Sequence, residues 1–197
     1  MSNIRPYKFR PFELKKEKYS NDLVPGPRSG MDFNFIFYSI EMVIVENVIF
    51  FPGHRICCDD KNLYSFGGYN YRESDGTHSL YKEIFKYNFV RKSWTLLNED
   101  EDVEDDCPEE LASSAMAMHG KTLMIFGGTS YPFGIQCSNK VYLCNTNEPM
   151  KISKFLTANE PFENPPAQYG MSIAYNQNHL YTVGGTEGYH YSADIHR

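Results

Sequence analysis

The side chains able to do chemistry sort quickly by spacing. Six histidines (His54, His78, His119, His179, His190, His196) and five cysteines (Cys57, Cys58, Cys107, Cys137, Cys144) supply the usual transition-metal ligands. None stands in an HExxH arrangement or a CxxC pair. Cys57 and Cys58 are chain neighbours, so on a strand they point to opposite faces. The expectation is no metal and no cofactor. No GxSxG elbow, P-loop or dinucleotide fingerprint occurs, and Ser113-Ser114 follow no nucleophile pattern, so an enzyme is not expected. What remains is recognition chemistry. Aromatic residues follow each of three Gly-Gly pairs: Tyr69, Asn70 and Tyr71; then Thr129, Ser130, Tyr131 and Phe133; then Thr186, Glu187, Tyr189, His190 and Tyr191. Arg28 and Ser29 precede the first such unit, Ala112 and Ser113 the second, and Gln168 and Tyr169 the third. Tyr and Arg are the residues that concentrate binding energy at interfaces. A guanidinium and a hydroxyl also suit a carboxylate, the guanidinium through its planar fork. The plainer alternative is that these are ordinary loop residues whose rings pack between structural units.

The elements that must position them repeat three times. KNLYSFGGYN, KTLMIFGGTS and NHLYTVGGTEG align on Gly67-Gly68, Gly127-Gly128 and Gly184-Gly185. Each pair closes a short apolar run, preceded by a polar turn and by another apolar stretch (RICC, SAMAM, MSIAY). That is a hairpin, three times over. After the first pair, LYKEIFKYNF reads as a third strand and KSWTLL as a fourth. Four strands at a period of just under about 60 residues fit a propeller blade with long connections. The paired glycines answer crowding and unusual dihedrals at the end of the second strand.

Bulk properties agree. Of 197 residues, 41% are hydrophobic and 22% charged, and the 15% aromatic content favours strands. A net charge of −6 argues against nucleic-acid binding. The odd cysteine count without CxxC spacing suggests reduced thiols in the cytoplasm or nucleus. Met1 to Leu23 has no apolar core of the signal-peptide kind. The acidic run Glu99–Asp106 reads as a solvated loop.

The double glycine after an apolar strand, with Tyr87 and then Trp94 behind it, resembles the repeat of the kelch family. In the second unit Cys144 stands at the Tyr87 position, with Phe155 expected in the place of Trp94. The resemblance implies an all-β fold, a partial kelch-type β-propeller of about two and a half to three four-stranded blades. It covers residues 28–197, after a basic leading segment 1–27, in an incomplete chain. It also implies that the loops before each first strand and after each double glycine share the ligand face. On that face Arg28, Ser29, Tyr69, Tyr71, Tyr131, Phe133, Gln168, Tyr169, Tyr189 and Tyr191 become the expected ligand-binding residues. LYSFGGYN, CPEELASSAMAMHG, IFGGTSYPFG and LYTVGGTEGYHYSADIHR are similar to one branch of the family. That similarity implies a substrate receptor of a cullin-RING ubiquitin ligase, reading client C-termini that end in glycine. Elongin and cullin subunits would be its partners, with a link to stress-activated kinase signalling. Actin-binding kelch proteins and copper-containing kelch oxidases are the rival readings.

One stretch does not fit the repeat. Residues 31–53 are rich in Phe, Ile and Val and fall between the Pro-Arg-Ser-Gly loop and the first strand. Asp32, Asn34, Glu41, Glu46 and Asn47 break it into runs far below the roughly 18 residues of a spanning helix, so no membrane is expected. Structureless insertions of that length are uncommon inside compact domains. Without it the flanks join as GPRSG-HRICCDD, a smooth start to a blade. Gly30-Met31 and Phe51-Pro52-Gly53 can be encoded by the two ends of an intron. The expectation is a non-native insertion, a translated intron, with a genuine apolar hairpin as the alternative.

Overall fold

The computed structural model describes residues 15–17, 43–45, 53–72, 76–98, 108–147, 151–155 and 165–197. Among them every regular element is a strand. β1 (Lys15–Glu17) and β2 (Val43–Val45) pair in parallel. Apart from β2 and Gly53, the stretch 31–53 lies outside the described residues, as do Arg28, Ser29 and the acidic run.

The first blade holds β3 (Arg55–Cys58), β4 (Asn62–Phe66), β7 (Ile84–Asn88) and β8 (Ser93–Leu96) in that spatial order, all antiparallel. A small hairpin of β5 (Tyr69–Arg72) and β6 (Thr77–Leu80) rises from its double glycine. The second blade repeats the plan with β9 (Ala115–His119), β10 (Thr122–Phe126), β13 (Val141–Asn145) and β14 (Lys151–Phe155). Its loop hairpin is β11 (Thr129–Ser130) with β12 (Gln136–Cys137). A third sheet carries β15 (Ser172–Asn176), β16 (His179–Thr186) and β17 (Tyr191–His196). The tight turns are as the polar residues required. Asp59 N–H donates to the Asn62 carbonyl at 3.0 Å, and Gln177-Asn178 take φ values of 47° and 63° between paired Asn176 and His179. Two successive positive φ angles give the turn twist that matches a hairpin.

Alternation along the strands sets the core. Leu63, Phe85, Tyr87 and Trp94 pack together on one face of the first blade. Tyr64, Phe66 and Ile84, on its other face, meet Leu111, Leu123, Ile125, Tyr142 and Cys144 of the second blade. Phe126 and Ala115 then meet Met171 at the next seam. The first strands β3, β9 and β15 contact one another in succession, which makes them the innermost strands.

The large apolar residues Phe66, Phe85, Trp94, Phe126, Tyr142 and Tyr181 are expected to be mostly buried from their places on the strands, and this expectation and that for Phe155 need correction. Phe66, Phe85, Trp94, Phe126 and Tyr142 are buried, but Tyr181 is only half-buried. By alternation with buried Thr182 it lies on the third blade's outer face, beside Val183 and Ile195, 43% and 69% exposed. Phe155 does not take the Trp94 position either. Trp94 pairs with Tyr87, and in the second blade Cys144 pairs with Ile152, while Phe155 pairs with Val141 at the strand's other end.

The double glycines hold the blades together, and the crowding lies mostly in the neighbour rather than in the blade's own strands. A Cβ on Gly67 would stand 2.4 Å from the Leu111 carbonyl oxygen, and one on Gly127 would stand 2.6 Å from that of Gln168. Both oxygens belong to the segment leading into the next blade. The second glycine of each pair donates its N–H to the same oxygen: Gly68 to Leu111 and Gly128 to Gln168, each at 2.9 Å. A side chain at the first position would wedge the seam open.

Candidate functional site

Both loop sets lie on one face. The segment leading into each inner strand pairs with the loop after that blade's double glycine, through Ala112 with Thr129 and Tyr169 with Thr186. A backbone ladder runs around this rim: Ser113 N–H donates to the Gly53 carbonyl, and Gly170 N–H donates to the Ser113 carbonyl at 2.8 Å. Gly53, Ser113 and Gly170 hold the same place in successive blades, with φ of 73°, 57° and 72°. The left-handed conformation is thus part of the repeat, and Ser113 adopts it without glycine.

At the loop tips of the first two blades four rings gather. Tyr69 packs on Phe133 with centroids 4.6 Å apart, and His78 stacks on Tyr131 at 4.3 Å and 18°. Tyr131 and Phe133 meet edge to face at 5.8 Å. Thr129 supports the cluster from below. Its Oγ1 donates to the Gln136 carbonyl at 3.0 Å and accepts the Gly134 N–H at 2.9 Å, fixing the loop that carries Tyr131 and Phe133. Tyr131 remains 52% exposed, so the cluster is packed on its inside and open on its outside.

The loops of the second and third blades touch through backbone. A Cβ on Gly134 would lie 3.0 Å from the Gly188 Cα and 3.3 Å from the Tyr169 hydroxyl. Tyr169 therefore underlies this junction. Tyr189 and Tyr191 stand on the third blade, 81% and 91% exposed. Tyr191 opens β17 and pairs with Thr186, so it is a strand residue rather than a loop residue.

The expected site residues divide accordingly. Tyr69, Tyr131 and Phe133 are brought together, and Tyr71 lies on β5 beside them in the backbone register. Gln168 is 2% exposed and Ala112 1%, so neither offers the exposed loop side chain the sequence implied. Their backbones make blade contacts, and the side chains turn inward. One site residue is not evident from the sequence. His78 is paired with Tyr71 across the β5–β6 hairpin, and counting residues across that turn would have found it.

The thiols are subdued. Burial pushes the Cys57 thiol up to about 12, helped by Cys58, Asp59 and Cys144, and burial also raises Cys58 and Cys137. A thiolate nucleophile or ligand is disfavoured at each. Among the described residues no three His, Cys, Asp or Glu side chains gather as a metal site, and no helix is long and apolar enough to cross a membrane.

Four-stranded antiparallel blades, stacked on their inner strands and joined through double glycines, define a kelch-type β-propeller architecture. The chain belongs to the kelch-repeat family: residues 46–197 match the family described as the KLHDC2/KLHL20/DRC7 Kelch-repeats domain. Among curated proteins it is 40% identical to Kelch domain-containing protein 10 of Xenopus tropicalis over 151 residues, covering 74% of this chain and 35% of that one. The human protein of that name is 38% identical over 151 residues, covering 74% and 32%. The Kelch domain-containing protein 10 homolog of Drosophila melanogaster is 34% identical over 204 residues, covering 98% and 29%. The chain thus spans about a third of the length of these relatives.

Proposed function

We propose that this chain is a protein-binding part of a β-propeller, and that it grips its partner on the face shared by the rim and the loop tips. The observation that carries this is the Tyr69–His78–Tyr131–Phe133 cluster, which spans two blades and leaves Tyr131 half open to solvent. Rings held rigid by one another lose little entropy on binding and offer broad apolar area, the usual make-up of an interface anchor.

The finer reading is a substrate receptor that takes client proteins ending in glycine to a cullin-RING ubiquitin ligase, with elongin and cullin subunits as further partners. Stress-activated kinase signalling and a cytoplasmic or nuclear setting belong to the same reading. Its support is the sequence similarity to one kelch branch, together with donor groups suited to a carboxylate. Arg28 and Ser29 are its first candidates for that contact. The test is binding of a glycine-ended peptide as free acid and as amide to the full-length protein. The acid should bind and the amide should not, and Arg28→Ala should weaken binding by about 2 kcal/mol or more. Equal binding of both peptides removes the C-terminal reading, and sedimentation with actin filaments would replace it with a cytoskeletal one.

A further inference from the structure

The residue after each double glycine has a different task in each blade. In the first blade it is Tyr69, whose ring packs on Phe133 of the second blade. In the second it is Thr129, 1% exposed, whose Oγ1 accepts the Gly134 N–H at 2.9 Å. In the third it is Thr186, 5% exposed, whose Oγ1 accepts the Gly188 N–H at 3.0 Å. The two threonines therefore pin their loops in the same way, each by a buried hydroxyl on a glycine N–H.

Those two glycines meet. A Cβ on Gly188 would stand 2.9 Å from the Gly134 Cα and nearer still to its carbonyl oxygen, and Gly188 takes a φ of +105°. No side chain cushions the contact, so a shift of one loop is passed directly to the other. Tyr69, Phe133, Gly134, Gly188 and Thr186 thus form one line of contact across three blades, Phe133 and Gly134 being chain neighbours. Of the seven large apolar side chains exposed among the described residues, four lie within three residues of Gly134 or Gly188: Tyr131, Ile135, Tyr189 and Tyr191. The surface a partner can grip is concentrated where the loops touch.

The four rings of the aromatic cluster come from the first and second blades, yet the loop that carries Tyr131 and Phe133 is also held by the third. An anchor keeps its binding geometry only if supporting contacts hold it to within about 0.5 Å. Chains of packed groups and hydrogen bonds are what carry such support from one element to the next. Removing either threonine hydroxyl leaves a glycine N–H without its acceptor, and the loop then loosens at the point where the other loop leans on it.

We propose that Thr186 and Gly188 are positioning residues for the aromatic cluster: the third blade's loop sets the placement of Tyr131 and Phe133 through the Gly134–Gly188 contact. A change at Tyr189 or Tyr191 then reaches the anchor on the first two blades. The proposal rests on the reading of that cluster as a binding anchor, while the coupling itself is measured with no partner present.

The test uses the 197-residue chain and two readouts. One is amide hydrogen exchange of residues 130–136, followed by mass spectrometry. The other is the ring-proton resonance of His78 in histidine-labelled protein at one fixed pH. His78 stacks on Tyr131 at 4.3 Å, so the tyrosine ring shields it, and the signal moves downfield when Tyr131 swings away. Thr186→Val keeps the side-chain shape and removes the hydroxyl. It should speed exchange in 130–136 at least about fivefold, the factor one hydrogen bond is worth, and move the His78 signal downfield. Thr186→Ser, which keeps the hydroxyl, should leave both readouts as in the unaltered chain. Thr129→Val is the positive control, since its hydroxyl holds that segment directly. Faster exchange confined to the third blade in Thr186→Val, with 130–136 and His78 unchanged, overturns the coupling. Exchange in β10 reports whether the second blade stays folded. Should it rise in Thr186→Val, the deciding variant is Gly188→Ala, whose Cβ presses on Gly134. That variant must move the His78 signal while β10 stays protected, and any other result there overturns the proposal. Coupling present, with Phe133→Ala harmless to partner capture by the full-length protein, keeps this inference and removes the anchor reading. Capture lost in Phe133→Ala with no coupling does the reverse.

Discussion

Replacing Gly67 with alanine tests whether the blades are joined through their double glycines. Gly67 sits at φ +68°, where an L side chain costs roughly 1–2 kcal/mol. Its new Cβ would also meet the Leu111 carbonyl oxygen at 2.4 Å, about 1 Å inside an ordinary contact, so the second blade's lead-in must retreat. That retreat breaks the 2.9 Å bond from Gly68 N–H to the same oxygen. Overpacking with loss of this bond adds roughly 1–3 kcal/mol, for a total on the order of 2–5 kcal/mol. Gly184→Ala is the control. It has nearly the same φ, +67°, yet a Cβ there would meet only the Ser192 carbonyl oxygen, at 3.2 Å. Gly120→Ala, at φ +59° with nothing within 4 Å, isolates the dihedral cost. Urea unfolding followed by far-UV circular dichroism should rank Gly67→Ala as clearly the most damaging, with the other two losing roughly 1–2 kcal/mol each. Three equal losses would refute the seam argument and leave the dihedral as the whole reason for the pairs.

Cys57, with its thiol pushed up to about 12, should react with iodoacetamide at pH 8 more slowly than Cys58 and Cys137, the other half-buried cysteines, and a Cys57 labelled as fast as Cys137 would contradict its burial. Because the folded thiol titrates above the unfolded one, its contribution to stability is full below the unfolded pKa of about 8.5 and is lost as pH rises toward 12; Cys57→Ser should flatten that alkaline fall in urea midpoints. Phe133→Ala, which removes the ring touching Tyr69, His78 and Tyr131, should weaken partner capture about tenfold or more while circular dichroism stays unchanged, as measured by pull-down and calorimetry. The 197-residue chain should self-associate through the third blade's outer face, and Val183→Lys with Ile195→Lys should shift its sedimentation toward monomer. Deleting residues 31–53 should preserve the strand spectrum and the buried emission of Trp94, the single tryptophan.

The fold was legible because its signal is periodic. Gly67, Gly127 and Gly184 each follow a run that pairs in the same register with its neighbours, and that repetition reads without coordinates. Legibility failed where a position is set by the partner strand rather than by its own sequence. Phe155 is aromatic and near the right distance, but the longer connection after Asn145 moves the register so that Ile152 faces Cys144. Tyr181 looks like Tyr64 in sequence, yet burial depends on what lies across the seam. The site was half legible for the same reason. Tyr131 and Phe133 announce themselves as aromatic loop residues, whereas His78 joins them only through the backbone pairing of β5 with β6.

The rim ladder gives the stretch at 31–53 a physical meaning that composition alone could not. The place just before His54 must carry a positive φ and offer its carbonyl to Ser113, and Gly53 does both. In a chain joined Gly30 to His54, Gly30 would occupy that place with no change of residue. A Cβ there would meet the Ala112 Cβ at 3.0 Å and the Ser113 Oγ at 3.1 Å, so the requirement for glycine is steric as well as dihedral. Both ends of the stretch therefore present the residue the blade needs, and removing it costs the seam nothing. Arg28 would then stand at the position of Leu111 and Gln168, whose carbonyls cap the double glycine of the preceding blade. We propose that this equivalence fits a translated intron; the alternative is a genuine apolar hairpin, which the blade would miss on deletion. Sequencing transcripts across these codons should find a form lacking them. If the codons lie within one exon without splice-site sequences at the joins, and their deletion also lowers the urea midpoint, the stretch is a genuine part of the blade.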